Sequence, residues 1–376
     1  MSFANHTKSR TRITFFMAQF GGGIAKMRTH LARELISRGY SIDLLIGKKP
    51  SPYLEFLHPG IKIISIPTTH HIMSLPFILT YLISRKPAAL ITERPRVNMS
   101  ALSAKSLLHI RTPIYSSVHL PLSMKINTMQ PQKRKKFIRS IRKNYLANNG
   151  IIAVSQGVAD DLKILLHDSK ELIRTIHNPV ITSDLYSLAH EELPHSWFQA
   201  QSPPVILSVG RLVQQKDHAT LIRAFAILRR KVFCRLIILG EGGERTELEQ
   251  LIRTLGLNED IDLPGFVPNP YSYMAKSNLF VLSSAWEGFG NVLVEAMALG
   301  VPCVSTNCPF GPAEILEEGR LGFLVPVRDV QALANAMHQM LERPFDTGMA
   351  KEASQKYSAQ TCADKYVSLI KETLPH

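Results

Sequence analysis

One rhythm constrains this chain more than any other feature: short apolar runs alternate with segments of helical period, and the alternation begins twice. In the first half the runs are "RITFFMAQF", "YSIDLLIG", "IKIISIP", "ALITERP", "IYSSVH" and "GIIAVS", with helical patterns such as "IAKMRTHLARELISRG" between them. Brief, nearly continuous apolar strands joined by helical crossovers make a parallel sheet. The second half restarts at "PVILSVGRL" and continues through "CRLIILGEG", "IDLPGF", "LFVLSS" and "VPCVST", interleaved with "HATLIRAFAILRRK", "ERTELEQLIRTLG" and "NVLVEAMALG". The expected class is α/β, with two doubly wound units in series.

Length agrees, because 376 residues exceed the roughly 250 to 300 at which one core stops growing. "LAHEELPHSWFQAQSPP" has little periodicity and ends in two prolines, so it reads as a linker. The expected division is a first unit over 1–185, a linker over 186–203, a second unit over 204–355 and a helical tail over 356–376 that could pack back on the first unit. Open parallel sheets bind ligands at the carboxyl ends of their strands, so functional residues are sought there.

Charge is uneven. The formal balance of +14 comes from residues 1–180, with 27 Lys or Arg against 8 Asp or Glu, while residues 181–376 carry 17 against 22. An anionic partner is therefore expected on the first half. "PQKRKKFIRSIRKNYL" concentrates Lys133, Arg134, Lys135, Lys136, Arg139, Arg142 and Lys143, with Phe137, Ile138, Ile141 and Tyr145 at helical spacing. Such a helix suits an anionic membrane surface or a lipid-linked acceptor; it equally suits a solvated helix whose apolar side packs on its own unit. No aromatic platform accompanies it, so nucleic acid is not expected.

The most apolar window, "IMSLPFILTYLI", is interrupted and far short of the roughly 20 residues of a membrane span. "MSFANHTKSRTR" has no secretion-signal core. The expectation is a cytoplasmic chain, or one peripheral on the inner face of the cytoplasmic membrane. Cys234, Cys303, Cys308 and Cys362 form no CxxC pair and are expected as buried thiols rather than metal ligands or disulfides.

Three strand-end segments carry candidate chemistry. Gly21, Gly22 and Gly23 lie between the first strand and its helix, where N–H groups and the helix dipole favour an anion. This is not a GxGxxG dinucleotide signature, and Gly47 and Lys48 stand at the end of the second strand where a ribose-binding acid would be expected. "GRLVQQKD" sets Gly210, Arg211 and Lys216 at a helix entrance, a pairing that suits a diphosphate. "WEGFGNVLVEAMALG" places Glu287 in a loop and Glu295 one turn into the next helix, with Asn291 near the N-cap and Gly300 at the stop. Both acids would face a ligand lying over N–H groups of residues Gly290 to Leu293.

In combination, "FGGG", "GRLVQQKD", "GEGGER", "GFVPN" and "EGFGNVLVEAMALGVPCVST" resemble the retaining family 4 glycosyltransferases. The resemblance runs over most of the chain and is strongest from Pro204 to Val325. It implies the GT-B fold, two facing Rossmann-like domains with a central cleft. It further implies that Glu287 holds the donor sugar, Glu295 the ribose, and Arg211 and Lys216 the diphosphate, assisted by Gly210 and by the loop Phe289, Gly290, Asn291, Val292 and Leu293. Phe266 and Val267 match the nucleobase contact, Gly22 and Gly23 the glycine loop beside donor and acceptor, and His119 the histidine near the reacting carbon. Many relatives follow that histidine with Asp; here Leu120 stands instead.

With no second carboxylate expected below the anomeric carbon, a covalent double displacement has no evident nucleophile. The expectation is same-face substitution aided by charge stabilisation on the leaving diphosphate. No metal and no cofactor beyond the donor nucleotide sugar are expected; Asp260 and Asp262 form a DxD, but at a strand start. "STNCPFGPAEIL" resembles segments of transferases that build bacterial surface glycans such as lipopolysaccharide, often from UDP-sugars, which favours UDP. The alternatives are a GT-B epimerase or phosphorylase, or a non-catalytic basic binding protein on the same fold.

Overall fold

The computed structural model describes residues 11–47, 54, 57–167, 170–199, 201–343 and 346–373; Lys48 and the N-terminal stretch through Arg10 lie outside them. The chain forms two compact units, Met1–Pro179 together with Ala359–His376, and Val180–Ser358.

In the first unit, β1 (Arg12–Met17), α1 (Gly22–Ser37), β2 (Ser41–Ile46), β3 (Ile61–Ser65), α2 (His71–Arg85), β4 (Ala89–Thr92) and α3 (Pro95–Leu108) follow one another. Next come β5 (Ile114–Val118), α4 (Leu122–Asn127), α5 (Pro131–Leu146), β6 (Gly150–Ala153), α6 (Gln156–Leu166) and β7 (Ile173–Thr175). All pairings are parallel, in the order β3-β2-β1-β4-β5-β6-β7. Every residue of β4, β5 and β6 is buried, which is why these strands read as unbroken apolar runs.

The second unit runs α7 (Ser183–Ala189), β8 (Val205–Val209), α8 (His218–Arg229), β9 (Arg235–Leu239), α9 (Arg245–Thr254), β10 (Ile261–Gly265) and α10 (Tyr271–Lys276). It continues with β11 (Leu279–Leu282), α11 (Asn291–Ala298), β12 (Cys303–Thr306), α12 (Pro312–Ile315), β13 (Phe323–Val325), α13 (Val330–Glu342) and α14 (Thr347–Ser354). Its sheet is parallel too, ordered β10-β9-β8-β11-β12-β13. In each sheet the order reverses beside the first strand, between β1 and β4 and between β8 and β11. Such a reversal leaves a crevice at the strand ends.

The last helix, α15 (Ala359–Thr373), belongs to the first unit. Its Ala363, Tyr366, Leu369 and Ile370 share a core with Leu31 and Leu35 of α1, and Tyr115 donates its hydroxyl proton to the Leu369 carbonyl at 3.1 Å.

Residues 186–203, read from the sequence as a linker, lie within the second unit. Leu185 and Ala189 are buried, and Asn269 donates to the Leu188 carbonyl at 2.8 Å. The chain changes unit instead beside Pro179 and Ser358, where the N–H groups of Val180 and Ile181 donate to the Tyr357 carbonyl. Prolines and weak periodicity marked residues 186–203 as irregular, yet Ala189 and Leu193 within them are buried.

Helix α5 carries the basic run. Ile141 and Tyr145 are buried and Phe137 and Ile138 half-buried, so the apolar side packs on its own unit. Lys133, Arg134, Lys135, Lys136, Arg139 and Lys143 are exposed, while Arg142 donates to the Leu165 carbonyl at 2.6 Å. All four cysteines are free and buried. No helix among the described residues is long and apolar enough to cross a membrane.

Candidate active site

The β8/β11 reversal of the second unit gathers most of the expected residues. Gly210 and Arg211 follow β8, Lys216 precedes α8, and Glu287 lies in the loop after β11. Lys216 Nζ is 2.5 Å from Glu287 Oε1, which also accepts from Ser284 Oγ at 2.6 Å. The loops are tied by Ser283 Oγ donating to the Lys216 carbonyl and Ala285 N–H donating to the Gln215 carbonyl, each at 2.8 Å. Arg211 is exposed, so an accessible guanidinium stands beside the Lys216–Glu287 pair at this strand end.

Glycines make that loop packing feasible. A Cβ on Gly210 would sit 3.2 Å from the Lys216 side chain, and one on Gly240 only 2.0 Å from the Gly210 carbonyl oxygen. Any larger residue at position 240 would push the Arg211 loop away. That is a physical reason for "GEGGER", which the sequence alone offered only as part of a resemblance. His218, the first residue of α8, is fully enclosed; burial, then Lys216, push its pKa down to about 4. It is a neutral residue of the scaffold.

Helix α11 is capped by Gly290 in a left-handed conformation, φ 107°, rather than by Asn291. Leu293 N–H donates to the Gly290 carbonyl at 3.0 Å, so it is not among the groups offered to a ligand, contrary to the sequence reading. Asn291 and Val292 are half-buried and Gly300 follows the helix with φ 76°. Glu295 is buried and accepts from Tyr271 Oη at 3.4 Å. The Phe289 ring is also buried, edge-on to Tyr357 at 5.1 Å, which leaves only its backbone for recognition. Phe266, just past β10, is 64% exposed and Val267 half-buried. The DxD carboxylates are paired, Asp260 with Arg229 and Asp262 with His195, both at 3.0 Å.

In the first unit, Gly22 opens α1 with φ 63° and, like Gly23, is exposed. His119 follows β5 directly. Its Nε2 lies 2.5 Å from Glu93 Oε2 and 3.1 Å from Ser117 Oγ. Glu93, at the end of β4, was missed by the sequence reading. Arg28 of α1 grips it through Nε and through Nη2, the latter 3.3 Å from Oε2, and also donates to Ser117 Oγ at 2.6 Å and Tyr366 Oη at 2.7 Å. Burial opposes both charges, yet Arg28 and then His119 hold the Glu93 carboxyl below its ordinary pKa, while Glu93 raises that of Arg28. An ionised carboxylate only accepts, so the His119 proton at Nε2 is committed to Glu93. A ligand would meet Nδ1 or the backbone. Leu120 beside it is exposed.

Two Rossmann-like parallel-sheet units with charged strand-end loops define the GT-B class of fold. Residues 21–184 match the family model Glycosyltransferase Family 4, and residues 190–360 match Glycosyl transferases group 1. The chain belongs to the glycosyltransferases built from these two domains. It is 34% identical over 226 residues to the N-acetylgalactosamine-N,N'-diacetylbacillosaminyl-diphospho-undecaprenol 4-alpha-N-acetylgalactosaminyltransferase of Campylobacter jejuni, a match spanning 60% of this chain and 59% of that enzyme's length. It is 24% identical to the N-acetyl-alpha-D-glucosaminyl L-malate synthase of Bacillus anthracis, over 96% of this chain and 95% of that one. Among solved structures, a Rickettsia africae glycosyltransferase superposes with a TM-score of 0.81 at 18% identity, covering 98% of this chain and 100% of that one. Anabaena HepE in complex with UDP gives 0.79 at 21% identity, covering 96% and 100%. At such identities these two structures speak for the fold.

Proposed function

We propose that this chain is a retaining, metal-independent glycosyltransferase that moves a hexosyl or N-acetylhexosaminyl group from a UDP-sugar to a lipid-linked or surface-glycan acceptor. The observation that carries this reading is the cluster at the β8/β11 reversal: Lys216 paired with the buried Glu287 at 2.5 Å, beside exposed Arg211. Two cations at a strand end suit a nucleoside diphosphate leaving group. UDP is favoured because the HepE neighbour binds it. A lipid-linked acceptor is favoured because the Campylobacter relative's name specifies a diphospho-undecaprenol one, and a lipopolysaccharide core enzyme of Rhizobium meliloti is 29% identical over 61% of this chain and 66% of its own length. The exposed cations of α5 support peripheral attachment to an anionic membrane surface.

In this reading Glu287 orients the donor sugar, Glu295 the ribose, Phe266 and Val267 the base, and His119 the sugar near the reacting carbon. The acceptor hydroxyl attacks from the face the diphosphate leaves, and the departing phosphate oxygen takes its proton. Lys216 and Arg211 stabilise the charge that builds there, so the departure needs no divalent ion. The test is nucleotide release from UDP-, GDP- and ADP-sugars with a polyprenyl-diphosphate sugar acceptor, with and without EDTA. Turnover of a UDP-sugar that survives EDTA and falls by about a hundredfold or more in Glu287→Ala and Arg211→Ala is expected. Turnover that EDTA abolishes, or that Glu287→Ala retains, overturns the mechanism.

A further inference from the structure

Helix α2 holds the most apolar window of the chain, and the function above makes no use of it. Its inner side, Ser74, Ile78, Tyr81 and Leu82, is buried. Tyr81 Oη and Arg85 Nε each donate to Asp43 at 3.0 Å, which pins the helix to β2 and fixes its orientation. At 100° per residue the opposite side gathers Ile72, Met73, Pro76, Phe77, Thr80 and Ile83 into one arc. Four of these are strongly apolar and exposed: Ile72 70%, Met73 62%, Phe77 46% and Ile83 55%. Isolated exposed apolar side chains are ordinary; an uncharged helix face with four of them marks an interaction surface.

Charge identifies the occupant. Between residues 61 and 147 the sequence has 15 Lys or Arg and a single acid, Glu93, and that acid is buried. Arg85 is held by Asp43; the other cations of this segment have no exposed acidic counterpart within it. Helix α3 packs against both α2 and α5, so the apolar helix and the basic helix flank it. A cavity of about 300 Å³, lined by His70, His71, Arg96, Phe137 and Ser140 among others, lies where the three meet. A polyanion such as RNA would match the cations but would leave the α2 face in water. A bilayer with anionic headgroups over hydrocarbon matches both.

We propose that α2, α3 and α5 form one docking face for an anionic phospholipid bilayer, in which the apolar side of α2 enters the interface and α5 supplies headgroup attraction. The inference deepens the peripheral attachment argued above, and it reassigns the apolar half of the contact. On α5, Ile141 and Tyr145 are buried in the protein itself and Phe137 and Ile138 are half-buried; the broad exposed apolar arc is on α2.

The experiment uses the full chain with vesicles of phosphatidylcholine alone or with about 30 mol % phosphatidylglycerol. Sedimentation with anionic vesicles only is expected for the parent chain. Met73→Ser with Phe77→Ser should weaken it by about tenfold or more, and Lys135→Gln with Lys136→Gln and Arg139→Gln should abolish it. All five side chains are exposed, so an unchanged thermal midpoint checks folding. An environment-sensitive dye on Phe77→Cys should shift to the blue on binding, whereas one on Ile164→Cys of α6, 69% exposed, should not. Full binding by the α2 variant, or no dye shift, overturns the proposal while leaving an electrostatic attachment through α5 intact. Equal binding to double-stranded RNA and vesicles without a dye shift overturns it in favour of nucleic acid. A dimer without vesicles that the α2 variant dissolves overturns it in favour of a second copy. UDP-sugar turnover in detergent, which needs no vesicle, separates failure here from failure of the donor reading.

Discussion

The two units share a topology and put charge at equivalent reversals, but they use it differently. At the β1/β4 reversal Arg28, Glu93, Ser117, His119 and Tyr366 form a closed network in which Arg28 and Glu93 are almost fully enclosed. At the β8/β11 reversal a single pair, Lys216 with Glu287, stands beside an exposed Arg211. The first arrangement satisfies its own charges and so fixes one side chain, His119, in one orientation. The second leaves the Arg211 guanidinium open to solvent beside the pair, where an anionic ligand could meet it. Enclosing a charge to fix geometry and leaving one open to a ligand are competing demands, and here each unit meets one of them.

That contrast is broken most severely by Arg28→Ala. It leaves Glu93 as a buried, uncompensated carboxylate, and a loss of about 3–5 kcal/mol in urea unfolding is expected. Adding Glu93→Gln should restore part of it, because the stranded charge is then gone. If the single variant costs less than about 1 kcal/mol, the network is not closed to water. A somewhat smaller effect concerns His218 in the second unit. Its pKa is lowered from 6.5 to about 4, so the unfolded chain binds the extra proton first. Its contribution is intact above about pH 6.5 and falls by about 3 kcal/mol as the pH drops to about 4. Unfolding midpoints measured across that window should fall less steeply for His218→Gln. Arg211→Ala should behave oppositely to Arg28→Ala: turnover lower by about a hundredfold, stability changed by no more than about 0.5 kcal/mol.

Much of this contrast was legible in the sequence where local pattern decides it. Strands buried on both faces declare themselves as apolar runs, and Arg211, Lys216, Glu287 and His119 stand within a few residues of strand ends. Glu93 stands at a strand end too, in "ALITERP", but its role depends on β4 lying beside β5 and on α1 reaching across with Arg28, and no local spacing encodes that neighbourhood. Helix faces failed for a related reason. The periodicity of α5 shows an apolar side without saying that α3 and α6 cover it, and the continuous apolarity of α2 hides which half stays uncovered. The division beside Pro179 was missed because α7 is too short to show a period, although Leu185 and Ala189 place it in a core.

The smallest expected effect tests how far the closed network depends on the end of the chain. Tyr366 lies in α15, 338 residues from the Arg28 it contacts, and its hydroxyl is the partner of Nη1. Tyr366→Phe keeps the ring, which packs in the core of α1 and β1, and removes only the acceptor. A hydrogen bond to a charged group contributes about 1.5–3 kcal/mol; the neighbouring partners of Arg28 remain, so a loss near the lower figure is expected. The sharper readout is kinetic. If α15 merely covers the core, the variant loses stability and keeps its kcat. If Arg28 must be held from both sides to keep Glu93 on His119 Nε2, kcat falls with KM for the donor unchanged, and Arg28→Lys, which cannot reach Glu93, Ser117 and Tyr366 together, reproduces the fall. An unchanged kcat in both variants would assign the network to stability alone and leave the second unit as the sole source of the chemistry.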